Sequence, residues 1–122
     1  MLRTLFQCYV RDSLAAVESY RAAFGATLVT QTLSPEGVNV HTELDLGGQI
    51  LALSELADSE PVTGSTMELC LHFRADEKDL VLRAFEALKS GATVLYPPGP
   101  VFYSEFMTEF IDRFGVRWCL FV

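Results

Sequence analysis

Glu68, Cys70 and His72 stand two residues apart and interleave with the large apolar Met67, Leu69, Leu71 and Phe73. That alternation is the period of a half-buried strand, so the three polar side chains share a face that looks into a cleft or into solvent. A carboxylate between apolar neighbours in a partly dry cleft has the chemistry of a general base, which makes Glu68 the candidate catalytic residue. The plainer role is an exposed or Arg-paired carboxylate, with Arg117 as the partner. Arg117 and Cys119 share a face of their own strand, and a guanidinium near a thiol is what a nucleophilic cysteine needs. The plainer role for Cys119 and Cys70 is that of a small buried hydrophobe. Cys8 falls on the opposite, helix-facing side of its strand. His41 and His72 could each act as a base or as a hydrogen-bond donor to a ligand, or could be held by structural hydrogen bonds. Phe102 and Tyr103 follow the stiff stretch Pro97-Pro98-Gly99-Pro100, expected to be a loop, and could stack on a flat ligand at a cleft edge. Phe106, Phe110 and Trp118 read as core.

The elements that must position these groups come twice. Gly25-Ala26-Thr27-Leu28-Val29 is echoed by Gly91-Ala92-Thr93-Val94-Leu95, and Cys8-Tyr9-Val10-Arg11 resembles Leu71-His72-Phe73-Arg74 in type and alternation. Gly48-Gln49-Ile50-Leu51-Ala52 parallels Gly115-Val116-Arg117-Trp118-Cys119, and all the offsets lie between 63 and 67. In the first half, Asp12 or Ser13 caps a helix carrying Leu14, Val17, Tyr20 or Arg21, and Phe24, which Gly25 stops. A strand with Val38, Val40, Thr42, Leu44 and Leu46 on one face leads through Gly47-Gly48, a tight hairpin turn, to a strand over Gln49 to Leu53. In the second half, Asp76 caps a helix with Leu80, Val81, Ala84, Phe85 and Leu88 on one stripe, and Gly91 stops it. Strands over Glu105 to Ile111 and Val116 to Val122 pair around Asp112-Arg113-Phe114-Gly115. The expected architecture is α+β, a single domain of two βαβββ modules at about 1–54 and about 65–122, joined by a polar stretch over 55–64. Each helix covers one face of its sheet. The other face, with Gln7, Glu68, Cys70 and Arg117, is left open.

A chain of 122 residues that is half apolar can bury a core without disulfides or a structural metal. Its net charge of −7 argues against nucleic acid as a partner and is compatible with a cationic small ligand. No apolar run is long enough to span a bilayer, and Arg3, Gln7 and Arg11 break the apolar start, so neither a membrane segment nor a signal peptide is expected. Three widely spaced cysteines without metal-ligand spacing fit a reduced, cytoplasmic protein.

Three segments carry a family resemblance: Ala16-Val17-Glu18-Ser19-Tyr20-Arg21-Ala22-Ala23-Phe24-Gly25-Ala26, His41-Thr42-Glu43-Leu44-Asp45-Leu46-Gly47-Gly48, and Asp112-Arg113-Phe114-Gly115-Val116-Arg117-Trp118. With the paired βαβββ layout, they resemble the vicinal oxygen chelate superfamily of glyoxalases, bleomycin resistance proteins and dioxygenases, and within it the PhnB-like branch. The resemblance implies an open concave mixed sheet and a homodimer. It also implies a divalent metal held by His and Glu at four positions, which here fall on Leu5, Ala52, Glu68 and Cys119. Leucine and alanine cannot coordinate, so no cofactor is expected; a divalent metal would meet an incomplete ligand set. The methyltransferase label common in this branch finds no support, because no Gly-rich strand–helix loop with a downstream acid is present.

The reading that follows is a metal-independent protein binding a small molecule in a cleft lined by Gln7, His41, Cys70, His72, Phe102, Tyr103, Arg117 and Cys119. One alternative is a lyase, isomerase or transferase acting on a small oxygenated substrate, with Glu68 as base. Another is an interaction module with a vestigial cleft.

Overall fold

The computed structural model describes residues 1–64 and 66–122, and Ser65, where the second module was expected to open, lies outside the described residues. The chain divides into two compact units, Met1–Pro61 and Val62–Val122. The first contains β1 (Phe6–Val10), α1 (Ser13–Phe24), β2 (Thr27–Leu33), β3 (Asn39–Leu46) and β4 (Gln49–Glu55). The second contains β5 (Leu69–His72), α2 (Lys78–Leu88), β6 (Thr93–Val101), β7 (Ser104–Ile111) and β8 (Arg117–Phe121). Their sheets run β1-β4-β3-β2 and β5-β8-β7-β6, the same permutation, so the repeat read in the sequence is a repeat of topology. In each sheet the first and last strands are parallel and the other pairs antiparallel.

Helix α1 packs Ala16, Val17, Tyr20 and Ala23 against β3 and β4, and Gly25 ends it in the left-handed conformation (φ 64°) with its N–H on the Arg21 carbonyl. Its start differs from expectation. Asp12 is itself left-handed and caps nothing; the Glu55 carboxylate, at the end of β4, accepts from the Asp12 and Ser13 amides at 3.0 and 2.8 Å and from Ser13 Oγ at 2.8 Å. A carboxylate there satisfies orphan amide donors and complements the positive end of the helix dipole. Burial pushes the Glu55 pKa up, but these hydrogen bonds outweigh it and hold the carboxyl below its ordinary value. Helix α2 buries Val81, Ala84 and Leu88 as the stripe predicts. Its first residue is preceded by Glu77 rather than by a capping Asp76, and the Glu77 side chain accepts from the Arg74 amide instead.

Two strand expectations need correction. Val38 and Val40 are exposed, while Asn39 between them is 2% exposed and bonded to Ser13 Oγ, the Leu53 carbonyl and Thr42 Oγ1. A register shift between Thr32 and Leu33 breaks the alternation before Thr42 and Leu44 resume it on the buried side. The stretch Pro97-Pro98-Gly99-Pro100 is part of β6, not a loop. Strand β6 is at the sheet edge, where prolines forfeit no ladder donor, and its pairing slips repeatedly between Val94 and Val101. The Gly47-Gly48 turn is as expected, with both φ angles positive and the Gly48 amide on Asp45 Oδ1.

The second-unit core closes over Phe110, Trp118 and Leu120, all fully buried. Asp112, 4% exposed, organises the β7–β8 turn: its Oδ1 accepts from the Phe114 and Val116 amides at 2.9 and 3.0 Å, and its Oδ2 from Trp118 Nε1 at 2.9 Å.

Candidate functional site

The register of each sheet defines a row of side chains on the face away from its helix. In the first unit Gln7 stands opposite Ala52, and Ala52 opposite Glu43. In the second, Cys70 stands opposite Cys119, and Cys119 opposite Glu109. The two rows are topological equivalents with different chemistry.

The second row gathers most of the expected site. Donor atoms of Glu68, Cys70 and Cys119 all lie within 4.8 Å of one another, and the Cys70 thiol is 3.6 Å from Glu68 Oε1. The other oxygen, Oε2, accepts from Arg117 Nε at 2.8 Å. Arg117 is shared: Nε also donates to Glu109 Oε1 at 3.0 Å, and Nη2 donates to the same oxygen. Two carboxylates thus hold one guanidinium, with all three side chains less than a third exposed. The two carboxylates raise the Arg117 pKa, Glu109 more than Glu68. Burial, and after it the nearby Cys119 thiol, raise the Tyr103 pKa. His72 stacks on Phe121 with ring centroids 4.4 Å apart, and Tyr103 meets the same ring edge-on at 6.2 Å. Phe102 is fully exposed and packs edge-to-face on Tyr103 at 5.0 Å.

This arrangement removes the nucleophile reading of Cys119. The cation expected to activate it is taken up by Glu68 and Glu109. Burial, the Cys70 thiol and those two carboxylates push the Cys119 pKa up to about 12, and burial with Glu68 raises Cys70 as well. Cys119, 7% exposed, is therefore expected to resist iodoacetamide at neutral pH in the folded protein and to react on unfolding. Peptide mapping after timed alkylation checks this, and labelling of native Cys119 as fast as a free thiol would contradict it. Glu68 has one oxygen on Arg117 and the other facing Cys70, the Arg-paired arrangement rather than that of a free base.

The first unit holds the remaining expected residues. Gln7 Nε2 donates to Ser54 Oγ at 3.0 Å, and His41 Nε2 lies 3.0 Å from Glu43 Oε1. Glu43, 4% exposed, also accepts a bidentate pair from Arg3 at 2.7 Å for each bond. Arg3 and His41 hold the Glu43 carboxyl down to a pKa of about 2. Sequence reasoning missed Glu43, Glu109 and Arg3 as site residues. A signal for the carboxylates was present, since Thr42-Glu43 recurs as Thr108-Glu109 within the offset of the repeat.

A family model described as Glyoxalase/Bleomycin resistance protein/Dioxygenase superfamily matches residues 4–120. Among solved structures, protein PA1353 from Pseudomonas aeruginosa is similar over 99% of this chain and 97% of its own, with 25% identity and a TM-score of 0.84. The PhnB protein from Bacillus cereus is similar over 99% and 98%, with 20% identity and a TM-score of 0.79. The fosfomycin resistance protein FosX from Listeria monocytogenes, in a complex with Mn(II) and 1S,2S-dihydroxypropylphosphonic acid, covers 98% of this chain with 87% of its own, at 14% identity and a TM-score of 0.70. No curated protein matches the sequence.

Proposed function

Because the chain belongs to the glyoxalase/bleomycin resistance protein/dioxygenase superfamily, we propose that it binds a small molecule on the open face of its second-unit sheet without the family's divalent ion. The observation that carries this reading is the joining of a polar, acid-rich floor to an exposed aromatic edge. The floor is Glu68, Arg117 and Glu109; the edge is Tyr103 and Phe102, 53% and 100% exposed. A flat or cationic ligand would stack on the aromatics and meet the carboxylates, the division of labour usual in small-molecule sites.

The residues present do not fit the family's ion. Two of its four positions are Leu5 and Ala52, which have no lone pair to give, and Ala52 is fully buried. The enzymatic alternative, with Glu68 as base, is less well supported because both of its oxygens are engaged.

The test is a thermal-shift and fluorescence screen of chelator-treated protein against aromatic and cationic compounds. Saturable binding that raises the melting point and is indifferent to EDTA is expected, because a ligand of the native state stabilises by mass action. Tyr103→Ala is expected to weaken it roughly 5-fold, since an aromatic contact is worth about 1 kcal/mol. A diverse panel with no binder, or binding that EDTA abolishes, would sink the proposal.

A homodimer in a reduced, cytoplasmic setting belongs to the same reading. Every residue of edge strand β2 is exposed, Leu28, Val29 and Leu33 included, and Val38 and Val40 extend this apolar edge. Sedimentation at micromolar concentration is expected to give a dimer, and a clean monomer would overturn it. Among the described residues no helix is long and apolar enough to cross a membrane.

A further inference from the structure

We propose that Cys70, Cys119 and Glu68 form a binding site for a single thiophilic divalent cation of the Zn²⁺ or Cd²⁺ class. The site lies within the second unit and is distinct in composition from the family's His/Glu set. Cys70 stands on none of the four family positions; it joins because β5 and β8 pair in a register that sets it directly across from Cys119.

The geometry is close to what such an ion needs. A tetrahedral ion with sulfur donors at about 2.3 Å and an oxygen at about 2.1 Å spaces its donors roughly 3.5–3.8 Å apart. Cys70 Sγ and Glu68 Oε1 already stand 3.6 Å apart, and no pair in the set exceeds 4.8 Å. Arg117 helps rather than competes. It takes Glu68 Oε2 and so turns Oε1 toward the thiols, the orienting role that an outer-shell hydrogen bond performs for a ligating carboxylate. Two thiolates and one carboxylate make a soft set that selects Zn²⁺ or Cd²⁺ over Mg²⁺ or Mn²⁺. Cys70 is exposed, so the ion has a way in and a fourth coordination position toward solvent. On binding, two S–H bonds give two metal–sulfur bonds, and two protons leave to the buffer. No electron changes hands.

This inference shares a face with the proposed small-molecule site but does not rest on it. The experiment uses the full chain, chelator-treated and kept reduced with a phosphine. Cd²⁺ and Co²⁺ are titrated while the thiolate-to-metal charge-transfer bands are followed, and Zn²⁺ is then used as competitor. One equivalent of ion is expected to saturate the band, with release of protons. Cys70→Ser, at an exposed position, is expected to keep the fold and lose most of the band; Cys119→Ser does the same, with its melting point recorded to confirm folding. Glu68→Gln is expected to retain the band and bind about 10- to 100-fold more weakly, the range that even an outer-shell loss costs. No thiolate band at saturating Cd²⁺, a band unchanged in folded Cys70→Ser, or undiminished affinity in Glu68→Gln would each overturn the site. A band without any organic binder in the panel sinks the small-molecule reading alone, and the converse sinks the ion alone.

Discussion

Asp112→Ala is expected to destabilise the protein by about 3 kcal/mol or more, seen as a lower denaturant midpoint at unchanged slope. The reason is the number of donors, two of them on buried residues, that depend on one carboxylate. The Phe114 and Val116 amides and the Trp118 indole N–H all donate to it, and Asp112, Phe114 and Trp118 are each less than a tenth exposed. Hydrogen bonds to a charged acceptor are worth about 1.5–3 kcal/mol each, and donors left buried and unpaired pay their full desolvation cost. The turn also loses part of its support: the Asp112 side chain holds the amides on either side of Gly115 (φ 91°), leaving the backbone bonds between Asp112 and Gly115 and between Asp112 and Val116 to close the β7–β8 connection. Trp118→Phe separates the components, because it deletes the indole donor and keeps an aromatic ring. In the Asp112→Ala background it is expected to cost less than in the wild type, since the bond it would break is already gone. Full additivity in that cycle would mean that the indole bond contributes nothing.

Glu43→Gln is expected to remove a large part of the protein's sensitivity to acid. The Glu43 carboxyl lies at a pKa of about 2 against an ordinary value of 4.5, held there first by the Arg3 bidentate pair and then by His41. A carboxyl depressed by folding stabilises the native state fully above its unfolded pKa, and that stability is lost as pH falls through the folded value. The window therefore runs from 4.5 down to about 2. Wild type and Glu43→Gln should differ most above that window and converge at its acid end. Urea unfolding at a series of pH values reads this difference. Glu55 and Glu105 are also depressed in the native state and add acid sensitivity of the same sign, but they are present in both proteins and cancel. A constant gap between the two curves would show that the Arg3–Glu43 pair does not titrate as the geometry requires.

The topology was legible in the sequence because its signals are local. Alternation in β5, the stripe of α2, the Gly47-Gly48 turn and the echo of Gly25-Ala26-Thr27 in Gly91-Ala92-Thr93 each depend on a few adjacent residues and on the helix and strand periods. Glu68, Cys70, Arg117 and Cys119 were legible as residues of neighbouring strands whose alternation puts them together, as was the pairing of Glu68 with Arg117. Register is a different matter. Cys70 and Cys119 look widely spaced along the chain and become direct neighbours only through the parallel pairing of β5 with β8. Glu109 enters the site because the register of the β7–β8 hairpin sets it across from Cys119, and Glu55 takes over the capping of α1 from Asp12 because β4 ends beside the start of a helix that is remote in sequence. Even within β3, the bulge that leaves Val40 on the exposed side arises from how β2 pairs with β3, which no window on either strand contains. Period and turn chemistry belong to the local backbone, so the sequence by itself determined most of the elements and which residues alternate on each strand. Which donors share a site follows from long-range hydrogen-bond register, where one step flips every side chain to the other face, and only the tertiary structure decided that.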